Sequence, residues 1–290
     1  MSDTFADRLT AATKACGAPL CIGLDPLPDR IPALFGDAHE DADAVANFCE
    51  AILERAVGKC AAVKPQLGFF EPYGPEGYAI ARDITAAASA RGVPVILDAK
   101  RGDIGTTAEG YARATLGAAP GFDADCVTVS PYLGLDSLQP FIEAAKVGGK
   151  GVAVLVRTSN PGARDIQDLD VGGAPLWTRV AEMLRPAMDA MTSASGWSNL
   201  MIVAGATWPE EARRIRAILP NALFLVPGYG AQGASAADAL AGLVGGLGGV
   251  VSASRSVLYP PAAQAAGTMA AWRDAIDEGI AKTVVELSRA

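Results

Sequence analysis

Eight short apolar runs, each followed by a polar stretch that fits a helix, constrain the fold of this chain more than any other feature. The candidate strands are 19–25, 60–66, 94–100, 126–131, 151–157, 200–206, 223–227 and 249–254. Apolar residues recur at helical spacing over about 3–15, 41–58, 75–90, 107–117, 135–147, 174–193, 208–218 and 262–288. Pro209, just after Trp208, suits a first-turn helical position. After Gln232, Ser235 offers an N-cap to a helix weakened by its glycines. Eight strand–helix units in 290 residues indicate an α/β protein, a (β/α)8 TIM barrel. An open doubly wound sheet shares this periodicity. It is weakened by the lack of a Gly-x-Gly-x-x-Gly turn after the first strand and of any Gly-x-x-x-x-Gly-Lys-Ser/Thr loop. No linker, repeat or charge block divides the chain, so 1–290 is expected to be a single domain.

Composition narrows the partners. A net charge of −8 and a pI near 4.8 argue against nucleic acid or an anionic membrane surface. An anionic small molecule stays open, because local basic residues decide that. The segment Met1–Arg8 has neither a basic nor an apolar leader pattern, so no secretion signal is expected. The uncharged stretch 239–254 is short for a membrane span and broken by glycines. Five cysteines without a Cys-x-x-Cys pair suggest free thiols in a reducing cytoplasm. His39, the only histidine, falls in a polar run that reads as a solvated loop. A histidine zinc cluster is therefore excluded, and a Ser-His-Asp triad would depend on that one residue.

In barrels of this class the chemistry sits at the C-terminal strand ends. In order, those ends carry Asp25, Lys64, Asp98 with Lys100, Ser130, Ser159, Thr207, the Pro227-Gly228 turn and Arg255. Residues two apart on a strand share a side, so Asp98 and Lys100 are expected to project together, with Asp103 on the loop beyond. Taken alone, these charges also fit a structural ion pair at a strand end. Their convergence with groups from other strands points to a small-molecule site instead. The glycine-rich turn from Pro227 to Gly233 and Arg255 follow strands seven and eight, where barrels commonly bind phosphate through backbone N–H groups and a cation. Arg255 is suited to gripping two phosphate oxygens; an ordinary tight turn beside a surface arginine is the plainer alternative.

The chain resembles the orotidine 5′-phosphate decarboxylase family in its longer bacterial form. The resemblance rests on Asp98-x-Lys100-x-x-Asp103-Ile104-Gly105-x-Thr107, on Leu24-Asp25, and on Lys64. It extends through Thr158-Ser159-Asn160-Pro161-Gly162, Pro227-Gly228 with Gln232-Gly233, and Arg255-Ser256. The Asp-x-Lys-x-x-Asp core is shared with a wider barrel superfamily, whereas its combination with the other motifs is far more specific. Gly105-Thr106 stands where many relatives have proline and another polar residue, and Ala253-Ser254 precedes Arg255 where a glycine is commoner.

The resemblance implies decarboxylation of orotidine 5′-monophosphate to uridine 5′-monophosphate in pyrimidine synthesis, with no metal or organic cofactor. It implies an alternating charged network of Lys64, Asp98, Lys100 and Asp103. Asp103, Ile104 and Thr107 would come from the partner of a homodimer with a shared active site. Asp25 and Lys64 would hold ribose hydroxyls, Ser159 the pyrimidine, and Gln232 and Arg255 the phosphate, beside Pro227 and Gly228. Loss of CO2 from C6 leaves a carbanion without a conjugated carbonyl, so the barrier must fall by electrostatic stabilisation, with Lys100 as the expected proton donor. Asp98 and Asp103 would keep that lysine charged. The segment 162–173 and the turn at 228–234 are candidate covers over the bound substrate. Two other readings stay open: a magnesium-dependent sugar-phosphate decarboxylase or aldolase of the same superfamily, and a non-catalytic nucleotide-binding barrel.

Overall fold

The computed structural model describes residues 3–230 and 232–289. The first two residues of the segment Met1–Arg8 and Ala231 of the glycine-rich turn lie outside the described residues. Eight parallel strands run β1 Leu20–Leu24, β2 Ala62–Pro65, β3 Ile96–Arg101, β4 Cys126–Val129, β5 Gly151–Arg157, β6 Leu200–Ala204, β7 Leu223–Val226 and β8 Gly249–Ala253. They form one sheet in the order β2-β1-β8-β7-β6-β5-β4-β3. Parallel bridges from Val63 to Val95 and from Gln66 to Asp98 join its two edges. The result is a (β/α)8 barrel, and each strand overlaps the run expected for it.

Helix α1 (Phe5–Cys16) precedes the first strand. The crossover helices are α2 (Ala42–Ala56), α3 (Gly74–Ala90), α4 (Gly105–Leu116) and α5 (Leu135–Gly148) in the first half. A single turn, α6 (Arg164–Gln167), precedes α7 (Leu176–Ala190), which is followed by α8 (Pro209–Ile218) and the short α9 (Ala236–Leu240). Ser235 caps α9 as expected, its hydroxyl accepting the Asp238 N–H at 3.2 Å. The last expected helix is divided. After α10 (Arg255–Leu258), α11 (Pro261–Gln264) ends before α12 (Met269–Arg289) begins. No described helix is long and apolar enough to cross a membrane.

Strand alternation sorts the core into two clusters. Leu20, Ile22 and Leu24 of β1, Val152 and Val154 of β5, and Phe224 and Val226 of β7 face the helices. Cys21, Ala62, Ile96, Cys126, Ala153, Met201, Leu223 and Val250 fill the barrel. Helix α1 closes the bottom: Phe5, Ala6 and Leu9 join the inner cluster, and the Ala6 N–H donates to Asn199 Oδ1 at 2.9 Å. Gly151 opens β5 without a side chain because a Cβ there would lie 2.4 Å from the Phe5 ring. With the base sealed by apolar groups, the inward positions one period higher form the floor of the mouth.

Candidate active site

Those higher inward positions change from apolar to polar on four strands. Ala62 is followed by Lys64, Ile96 by Asp98, Cys126 by Thr128 and Val250 by Ser252. All four polar residues line a cavity of about 450 Å³, whose apolar wall includes Leu155, Val203 and Leu225. Asp25, Lys100, Ser159, Pro227, Gly228, Gln232 and Arg255 line the same cavity. The mouth therefore gathers nine of the twelve residues that the family resemblance places at the site.

At its centre the Asp98 carboxylate joins two ammonium groups. Lys64 Nζ donates to Oδ2 at 2.8 Å and Lys100 Nζ to Oδ1 at 2.6 Å. Asp25 Oδ1 stands 3.8 Å from Lys64 Nζ. Lys64 and Asp98 are almost fully enclosed, with side chains 6% and 9% exposed, whereas the Lys100 side chain is 49% exposed. Burial alone would drive Asp98 towards the neutral acid, but Lys64 and Lys100 outweigh it and hold the carboxyl below its ordinary value. Burial likewise opposes the Lys64 charge, and Asp98 and Asp25 outweigh it, holding the ammonium above the ordinary lysine value. Asp25 Oδ1 is buried with no hydrogen-bond partner among the described residues. Such an acceptor suits a ligand hydroxyl, since a buried lone pair left unmatched is costly.

Lys100 reaches this network through an irregular backbone. The β3–β4 ladder shifts register between Leu97 and Arg101, and Lys100 has φ +45°, a conformation uncommon for a non-glycine residue. The Thr128 hydroxyl supports it by accepting the N–H groups of Ala99 and Lys100 at 3.0 and 2.9 Å while donating to Asp98 Oδ1 at 2.9 Å. The expected shared side of Asp98 and Lys100 is thus present, but it comes from a bulge rather than from regular strand alternation.

Two departures from the pattern of the family that the chain resembles have local reasons. Gly105 has φ +52°, which proline, fixed near −65°, does not adopt. Ser254 is accommodated by Gly23: a Cβ at 23 would lie 2.0 Å from the Ser254 hydroxyl and 3.4 Å from Asp25 Oδ1.

On the phosphate side, Gly228 has φ +101°, and a Cβ there would meet Ser159 Cβ at 3.2 Å and Gln232 Oε1 at 3.1 Å. The turn is tied outward by Tyr229, whose hydroxyl donates to the Glu286 carboxylate on α12. Arg255 is exposed at the rim and pairs with no carboxylate among the described residues. Its fork is available for an anion.

Asp103, Ile104 and Thr107 do not line the cavity of their own chain. Among the described residues Asp103 accepts only the N–H of Ile104, at 2.8 Å, and Ile104 is 57% exposed. Ser130 and Thr207 also lie outside the cavity; Thr207 Oγ1 donates to the Ser159 carbonyl at 3.3 Å. His39 is exposed and lies 2.9 Å from Asp29, away from the site. The sequence reading missed Thr128, Ser252 and Gln66 as lining groups. The first two were accessible from inward parity, counting back two residues from Ser130 and Ser254. Gln66 follows Lys64 at the same spacing.

The family profile described as orotidine 5′-phosphate decarboxylase / HUMPS matches residues 18–265. The orotidine 5′-phosphate decarboxylase of Rhodopirellula baltica is 39% identical over 287 residues, covering 94% of this chain and 95% of that protein. That of Deinococcus radiodurans is 41% identical over 262 residues, covering 89% and 90%. The solved OMP decarboxylase of Leishmania donovani is 34% identical with a TM-score of 0.77, and 99% of each chain is covered. The same organism's UMP synthase is 36% identical with a TM-score of 0.79, covering 99% of this chain and 57% of that one.

Proposed function

The chain belongs to the orotidine 5′-phosphate decarboxylase / HUMPS family, and from that premise we propose how its residues carry out the reaction. The reaction is decarboxylation of orotidine 5′-monophosphate in pyrimidine biosynthesis. The observation that carries the assignment of roles is the Lys64–Asp98–Lys100 chain, with its one half-exposed ammonium turned into the cavity.

Lys100 stabilises the negative charge that develops at C6 as CO2 leaves, then delivers a proton to that carbon. The charge is localised on one carbon, so an ammonium fixed beside it is an effective stabiliser. Asp98, staying ionised itself, holds the lysine in place. Asp25 and Lys64 take ribose hydroxyls, a role supported by the unmatched Asp25 Oδ1. Ser159 hydrogen-bonds the pyrimidine. Gln232, Arg255 and the Pro227-Gly228 turn hold the phosphate, whose binding energy assists a reaction at distant C6. The product is uridine 5′-monophosphate, and no metal or organic cofactor takes part.

The active protein is a homodimer, with Asp103, Ile104 and Thr107 completing the partner's site. Their position outside their own cavity supports this, as does the exposed apolar surface of Ile104, Tyr132 and Leu133 at the ends of β3 and β4. The whole of 1–290 acts as one catalytic domain. The test follows the absorbance of orotidine 5′-monophosphate in excess EDTA. Undiminished turnover is the expected result. Strict magnesium dependence would favour sugar-phosphate chemistry, and uridine 5′-monophosphate binding without turnover would leave only a binding protein.

A further inference from the structure

Arg157, the last residue of β5, carries a guanidinium that is only 1% exposed and takes no part in the cavity lining. The β5–β6 ladder shifts register between Leu155 and Arg157, so Arg157 does not continue the inward row of Ala153 and Leu155. Its Nη1 lies 2.9 Å from Asp168 Oδ1, Nη2 lies 3.3 Å from Asp168 Oδ2, and Glu211 stands 3.8 Å away. The guanidinium stacks 4.1 Å from the Trp208 ring, and Arg164 lies 4.7 Å from the same ring. Nε and Nη1 have no hydrogen-bond partner among the described residues. Charge and stacking, more than directed hydrogen bonds, therefore hold this cation.

The cluster surrounds the turn that presents Ser159. Thr158 has every polar group engaged. Its N–H donates to Gln167 Oε1 at 3.0 Å, its hydroxyl accepts from Gln167 Nε2 at 2.8 Å and pairs with Asn160 Oδ1 at 2.7 Å, and its carbonyl accepts Trp208 Nε1 at 2.9 Å. On the far side, a Cβ at Gly205 would lie 2.7 Å from Ser159 Cα, so β6 packs directly against the turn. Gln167 and Asp168 adjoin each other in the segment expected to cover the site. Asp168 docks on Arg157, and Gln167 is thereby brought onto Thr158.

We propose that the Arg157–Asp168 ion pair, stacked on Trp208, is a positioning latch that holds the 158–160 turn so that Ser159 meets the pyrimidine. Arg157 and Asp168 are positioning residues, acting through Gln167 and Thr158. The inference rests on the reading of Ser159 as a base contact. The latch serves recognition of the base and leaves the ribose and phosphate contacts, which come from β1, β2, β7 and β8, unaffected.

Asp168→Asn is the informative variant, because Asp168 is partly exposed and Glu211 remains to balance the buried cation. Binding of uridine 5′-monophosphate and of ribose 5-phosphate, which lacks the base, is measured by calorimetry for wild type, Asp168→Asn, Asp168→Glu and Ser159→Ala. In Asp168→Asn, uridine 5′-monophosphate affinity is expected to fall about tenfold while ribose 5-phosphate affinity stays within about twofold. KM for the decarboxylation should rise more than kcat falls, and Asp168→Glu should recover most of the loss. Equal losses for both ligands, or no loss for either, would overturn the latch. An unchanged uridine 5′-monophosphate affinity in Ser159→Ala would remove the premise and the proposal with it. A loss in Ser159→Ala without one in Asp168→Asn would contradict the latch alone.

Discussion

The Thr128 hydroxyl accepts the backbone N–H of Lys100 at 2.9 Å, at the point where that lysine adopts φ +45°. One threonine on β4 thus supports the backbone from which the proposed proton donor extends. The same hydroxyl donates to Asp98 Oδ1, so backbone and charge network share one anchor.

Thr128→Val keeps the volume and removes all three hydrogen bonds. Leaving the part-buried N–H donors of Ala99 and Lys100 unmatched costs at most about 1–3 kcal/mol each, and the relaxed backbone displaces the Lys100 ammonium. A fall in kcat of at least about tenfold is expected, with overall fold retained by circular dichroism. Steady-state kinetics on orotidine 5′-monophosphate checks it.

The Asp98–Lys64 pair also makes a pH-dependent contribution to stability. The Asp98 carboxyl is held below its ordinary value of 3.8, so its contribution is complete above that value and is lost as pH falls through it. Lys64 is held above its ordinary value of 10.5, so its contribution is complete below that value and is lost as pH rises past it. The Tm difference between wild type and the double variant Asp98→Asn/Lys64→Met should be level between about pH 5 and pH 9 and change towards either extreme. Lys64→Met alone, which leaves Asp98 ionised and short of a partner, should cost about 3 kcal/mol in urea unfolding.

The shared site can be read by mixing subunits. Asp103→Asn and Lys100→Ala proteins, each inactive, should regain turnover once their subunits exchange, because some mixed dimers hold one site with neither change. Exchange demonstrated by differently tagged subunits without recovery of activity would assign Asp103 to its own chain.

Thiol chemistry should be confined by packing. Burial pushes the Cys21 thiol up to about 12 and raises Cys49, Cys60 and Cys126 as well, and only Cys16 is half-buried. An aromatic disulfide reagent at pH 8 should react rapidly with at most one of the five cysteines of the native chain, and with all five in denaturant.

The strands were legible because each is a compact apolar run between polar helices, and the inner and outer clusters follow simple alternation. Lys64, Asp98 and Arg255 were legible because charges directly after such runs have few places to go but a strand-end mouth. Thr128 and Ser252 were obscured by reading the outermost polar group of each strand end, Ser130 and Arg255, rather than the inward positions two and three residues earlier. Ser130 lies outside the cavity, whereas Ser254 lines it alongside Ser252. The left-handed Lys100 was not legible at all. Nothing in Ala99-Lys100-Arg101 marks a bulge, and the hydroxyl that supports it is 28 residues away in sequence. The Arg157 cluster was hidden for a similar reason, since its partners Asp168, Trp208 and Glu211 come from separate segments.

The most direct measurement compares wild type with Lys100→Ala, both confirmed as folded and both binding uridine 5′-monophosphate, by the loss of orotidine 5′-monophosphate absorbance in excess EDTA. The expected result is metal-independent turnover by wild type and a fall of at least about a thousandfold in kcat for the variant. Turnover in Lys100→Ala within about tenfold of wild type would contradict the assignment of Lys100 as the group that stabilises and protonates C6.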